Sequence, residues 1–71
     1  MNESEKSQLK DALHQMNNAL NSISMQAELA KMYVERNDSE KVEEALAVVM
    51  AQCRQCSSIT RSTQDLFNRE T

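Results

Sequence analysis

His14 is the single histidine of this chain, and imidazole is the side chain that most readily changes charge near neutrality; in its neutral form it is a competent nucleophile. Lys10 lies one helical turn before it, and Arg61 is a second cation to be placed against it. Cys53 and Cys56 form a C-x-x-C pair, a spacing used for thiol redox exchange and for zinc. Redox centres of that kind sit at helix N-termini, whereas this pair falls in mid-helix. Zinc needs two further ligands at the same height, which one copy of the chain does not supply. The expected state of both sulfurs is therefore that of small, inert, buried hydrophobes. Met16, Met25, Met32 and Met50 suggest either soft-metal chemistry or an adaptable peptide surface. Met16 reads as core. Met25, Leu29 and Met32 continue a stripe that starts at His14 and passes through Asn18 and Asn21 at helical spacing. That stripe either faces a second copy of the chain or serves as a docking strip beside the histidine.

The elements that must carry these residues are helices. Gly and Pro are both absent, which removes tight turns, phosphate-cradling loops and most β-hairpin chemistry. Leu9, Leu13, Met16, Leu20, Ile23, Ala27, Ala30 and Val34 follow one another in steps of four and three, which predicts a first helix over about 3–36. Val42, Leu46, Val49, Cys53, Cys56, Thr60, Thr63 and Phe67 repeat the rhythm and predict a second over about 40–69, its apolar face widened by Ala45, Ile59 and Leu66. Between them, at about 37–39, Asn37 tolerates a left-handed helix end, Asp38 or Ser39 can cap the next helix, and Glu40, Glu43 and Glu44 complement its positive N-terminus.

So short a turn makes the helices antiparallel neighbours. Each seam residue of one helix has a counterpart on the other at equal distance from Asp38: Leu9 with Phe67, Met16 with Thr60, Leu20 with Cys56, Val34 with Val42. Such a rod, about 45 to 50 Å long at roughly 1.5 Å per residue, leaves one side of every layer in water. A single domain of this size is marginal. The expected architecture is all-α: one antiparallel two-helix hairpin over 1–71, paired with its own copy as a homodimeric four-helix bundle.

Charge and hydropathy exclude several partners. A net charge of −3 and a pI near 5.0 oppose binding to nucleic acid or anionic lipid, which needs clustered Lys and Arg. The longest apolar run, Ala45 to Ala51, is too short to span a bilayer, and Met1-Asn2-Glu3-Ser4-Glu5-Lys6 has no signal-peptide core. The expectation is a reduced, cytoplasmic protein without membrane or nucleic-acid partners.

The run His14-Gln15-Met16-Asn17-Asn18-Ala19-Leu20-Asn21-Ser22-Ile23, followed by Ala27-Glu28-Leu29-Ala30, resembles the H-box of two-component histidine kinases. The likeness covers His14 to Ala30 closely, and the hairpin extends it over nearly the whole chain. In that family the segment belongs to the dimerisation and histidine phosphotransfer domain, a homodimeric four-helix bundle. Its exposed histidine accepts a phosphoryl group and yields it to an aspartate of a response regulator. The resemblance implies that His14 is the phosphoacceptor and that Asn18, Asn21, Ser22, Met25, Gln26 and Leu29 face the regulator's receiver domain. It implies no cofactor or metal in this chain, Mg2+ arriving with the receiver.

Gln15 departs from the pattern, because those kinases carry Asp or Glu there to take the proton from the attacking histidine, and a carboxamide is no general base. The glycine-rich ATP-binding domain is also absent from this stretch, so no self-sufficient kinase activity is expected. A phosphotransfer role through His14 fits a portion of a kinase or a free-standing relay. By the mirrored register His14 is level with Ser62, which brings Arg61 and Lys10 forward as groups to assist the phosphoryl group. Two alternatives remain: a regulator phosphatase in which Asn18 or Gln15 orients water, and a non-catalytic module that dimerises with or blocks a histidine kinase. Thr60 and Thr63 make the layers near His14 partly polar, unless their hydroxyls bond back to their own helix carbonyls.

Overall fold

Asn2 starts the first helix. In the computed structural model, which describes residues 2–70, its side chain accepts a hydrogen bond from the Glu5 backbone N–H at 2.8 Å, while the Glu5 carboxylate accepts one from the Asn2 N–H at 3.1 Å. This reciprocal capping box satisfies two of the N–H groups that a helix start leaves without partners. Helix α1 runs over Glu3–Glu35 and α2 over Ser39–Glu70.

The reversal between them is built from three residues. Asn37 takes a left-handed conformation with φ of 59°. Its N–H donates to the Val34 carbonyl at 3.0 Å, and the Asp38 N–H donates to the Tyr33 carbonyl at 2.9 Å. These two bonds are the paired closure of a Schellman motif, with Asn in the position usually held by Gly. Asp38 then caps α2, its Oδ1 accepting from the Lys41 N–H at 3.3 Å. The Lys41 ammonium lies 5.6 Å from the centroid of the Tyr33 ring, which ties the first turn of α2 to the last turn of α1.

The two helices pack along their length into a hairpin measuring 52 × 15 × 12 Å. No strand occurs among the described residues. The register is the mirrored one: the Thr60 hydroxyl lies 3.6 Å from the Met16 sulfur, and these residues are equidistant from Asp38. The neighbouring Thr63 hydroxyl bonds back to the Ile59 carbonyl at 2.9 Å.

Which residues line the contact differs from the heptad reading. Leu9, Met16, Ile23 and Ala30 do face α2, but their companions are Ala12, Ala19, Gln26 and Tyr33, each one position before Leu13, Leu20, Ala27 and Val34. On α2 the inner line is Val42, Ala45, Val49, Gln52, Cys56, Ile59, Thr63 and Leu66. Ala19 and Ala45 are each 3 % exposed, while Leu20 is 57 % and Val34 60 % exposed. At Ala12, Ala19 and Ala45 the small residue lets the helices approach closely and the larger Leu13, Leu20 and Leu46 are turned away from the contact, whereas at Gln26 and Tyr33 the larger residue faces α2. Leu13, Leu20, Ala27 and Val34 on α1, and Leu46, Cys53, Thr60 and Phe67 on α2, consequently line one open side of the hairpin. Within the single hairpin Cys53 is exposed there and Cys56 half-buried, both as free thiols, so one copy of the chain does not by itself bury either sulfur fully. The difference between them follows from the same one-position shift, which puts Cys56 on the inner line and Cys53 on the outer one.

Candidate functional site

His14 sits between the inner-line residues Ala12 and Met16, two positions from each, and at about 100° per residue this puts it on the back of α1, directed away from α2. It is exposed. The imidazole borders a shallow depression lined by Lys10, Leu13, Met16, Asn17 and Leu20. Lys10 supplies the only charge of that lining. Asn17, three residues after the histidine, adds a carboxamide on the same side, a spacing that marks it in sequence as a neighbour. The depression joins the open apolar side through Leu13, Met16 and Leu20, so His14 stands at the boundary between a charged edge and the uncovered face.

Gln15 turns elsewhere. It lines a groove on the opposite side of the hairpin with Gln8, Asp11, Ala12, Ser58, Ile59 and Ser62. Ser62, level with His14 along the rod, therefore shares a groove with Gln15 and not with the histidine. Arg61 is exposed and lies two positions from both Ile59 and Thr63, hence on the back of α2. The hairpin thus sets His14 and Arg61 of one chain on opposite outer edges and does not bring them together.

The remaining nominated residues separate into two groups. Asn18, Asn21 and Met25 are exposed, Met25 at 58 %, and Ser22 and Leu29 are half-buried along the same flank of α1. Met32, also exposed, extends this strip toward the turn. Gln26 stands apart from them on the inner line, half-buried against α2.

What the arrangement offers chemically is an accessible imidazole with an ammonium one turn away, on a capped helix beside a polar and methionine-rich strip. Among the described residues no group of three or more His, Cys, Asp or Glu side chains is placed to hold a metal ion. Among the same residues no helix is long and apolar enough to cross a membrane.

Compared with known proteins, the chain matches the family profile of the His Kinase A (phospho-acceptor) domain over residues 4–71. No curated protein and no solved structure matches it significantly.

Proposed function

From the premise that this chain belongs to the His Kinase A (phospho-acceptor) domain family, whose members are dimeric and work within two-component systems, we propose that His14 relays a phosphoryl group to and from an aspartate of a response-regulator receiver domain. The observation that carries this reading is the position of His14: exposed, on the outward back of a capped helix, within the matched region.

The chemistry asks little of the protein beyond alignment and charge neutralisation. A nitrogen of the neutral imidazole attacks the phosphorus of the aspartyl phosphate. The new P–N bond forms as the P–O bond breaks, and the bonding pair leaves on the aspartate carboxylate. The other ring nitrogen keeps its proton until solvent takes it, and the reverse reaction returns the phosphoryl group to aspartate. Lys10 offsets part of the added negative charge. The receiver contributes Mg2+ and docks along Asn18, Asn21, Ser22, Met25 and Leu29. Gln26 supports that strip from the inner line.

The working unit is a homodimer with the two open sides face to face and both turns at one end. The apolar line Leu13, Leu20, Ala27 and Val34 then meets Leu46, Cys53, Thr60 and Phe67 of the other copy, and every layer keeps its height. Phe67 meets the large Leu13, while Leu46 meets the small Ala27. Such size matching is what knobs-into-holes packing requires.

The test is transfer from receivers preloaded with phosphate from acetyl phosphate. The unaltered protein should acquire acid-labile, base-stable phosphate, and the His14→Gln variant none. Receiver dephosphorylation that survives His14→Gln but is lost in Asn18→Ala would instead establish the phosphatase reading.

A further inference from the structure

A second cation for the phosphoryl group on His14, beside Lys10 of its own helix, comes from the other copy: we propose that the partner's Arg61 completes the phosphate site in trans. This rests on the face-to-face dimer proposed above.

Within one hairpin, His14 and Arg61 occupy equivalent outward positions on the two helices, His14 midway between Ala12 and Met16 and Arg61 midway between Ile59 and Thr63. They project from opposite edges of a body only 15 Å across between Cα atoms. Pairing two hairpins by a two-fold axis along the rod changes the neighbours. Helix α1 of one copy then lies beside α2 of the other, about 8 to 10 Å away, with the backs of both helices on one side of the bundle.

Height supplies the second constraint. Residues equidistant from Asp38 share a layer, as the Thr60–Met16 contact shows. His14 is level with residue 62, so the partner's Arg61 lies one residue from its height, about 1.5 Å along the helix. The groove between the two helices is flanked by Lys10, His14 and Asn17 on one side and by residues 57, 61 and 64 (Ser, Arg and Gln) of the second copy on the other. None of these is a carboxylate; the nearest acidic residue of α2, Asp65, is exposed one turn after Arg61, at the far end of this stretch. The nearest acidic residue of α1, Asp11, lines the opposite groove with Gln15 and Ser62. A dianionic phosphoryl group on the imidazole thus meets an ammonium from its own helix and a guanidinium from its neighbour, whose planar fork suits two phosphate oxygens.

Mixed dimers separate this arrangement from a cis contact. Phosphoramidate serves as the donor, so that no cognate receiver is needed: the imidazole nitrogen forms the new P–N bond as the donor's P–N bond breaks, ammonia leaves, and the ring proton goes to water. Labelling of His14 is followed by phosphate-affinity electrophoresis of two differently tagged chains. The Arg61→Ala homodimer should label roughly tenfold more slowly than the unaltered protein, about 1.4 kcal/mol of lost stabilisation. Pairing Arg61→Ala with His14→Ala should restore labelling of the Arg61→Ala chain, because its histidine faces an intact arginine. An unaltered chain paired with the double variant His14→Ala/Arg61→Ala should label slowly despite its own arginine. The opposite pattern, or unchanged labelling of the Arg61→Ala homodimer, would overturn the trans site and leave His14 phosphotransfer standing. Absence of label on the unaltered protein would overturn both.

Discussion

At the residue scale the proposed relay turns on His14, which α1 leaves exposed on its outward back. Legibility here was uneven for a physical reason. The identity of His14 and of Asn18, Asn21 and Met25 as one flank follows from helical spacing alone, because residues three and four apart must share a side. The relation of His14 to Arg61 does not, since knowing that two residues share a height says nothing of which way each faces. Asn18→Ala should therefore leave labelling of His14 by phosphoramidate within about twofold while weakening transfer from a receiver by roughly tenfold, about 1.4 kcal/mol; equal losses in the two assays would argue that Asn18 acts on the imidazole itself. The cysteines give a second check. Cys53 is exposed on the open side and Cys56 half-buried on the inner line. A thiol reagent applied to dilute protein should modify Cys53 first, and Cys53→Ser should remove the fast phase; a fast phase that persists in that variant would reverse the assignment.

At the scale of elements, the hairpin depends on how α1 stops and α2 starts. Asn37, at φ of 59°, carries the left-handed conformation that closes the Schellman motif. Asn37→Val should destabilise the fold by about 1 to 2 kcal/mol, because a β-branched residue is strained there, and Asn37→Gly should be neutral or stabilising by a few tenths. Urea denaturation compares the two; equal midpoints would mean that the turn is not set by this conformation. Asparagine before Asp38 and Ser39 makes the turn readable, since few residues tolerate both a left-handed end and an adjacent cap. The choice of inner line was less readable. Heptad spacing favours the largest apolar residues, and Leu13, Leu20 and Val34 fit the rhythm as well as Ala12, Ala19 and Tyr33 do. Close packing favoured Ala12 and Ala19 inside, while Tyr33 is turned toward α2, where its ring meets Lys41. An apolar face wider than one seam has two sides to cover, and period alone does not say which side meets the chain's own second helix.

For the whole molecule, the open side is the consequence of that choice, and it is where the dimer of the proposed function forms. Covering a half-exposed leucine contributes on the order of 1 kcal/mol, and Leu13, Leu20 and Leu46 all stand in that condition. Leu20→Glu should weaken self-association by at least roughly tenfold and lower thermal stability with it, because two carboxylates are brought toward a face meant to be dry. Sedimentation equilibrium at micromolar concentration reads the first effect; an unchanged mass would place the interface elsewhere. In the proposed relay, phosphoryl chemistry depends on this assembly only through its edge, where the back of α1 lies beside the back of a neighbouring α2. The measurement that bears most directly on the whole is site localisation after phosphoramidate treatment, by peptide mass analysis at alkaline pH. One phosphoryl group per chain, on His14, lost on brief acidification and absent from His14→Gln, is the expected result. A folded dimer that takes no label on His14, or carries it on another residue, would contradict the account.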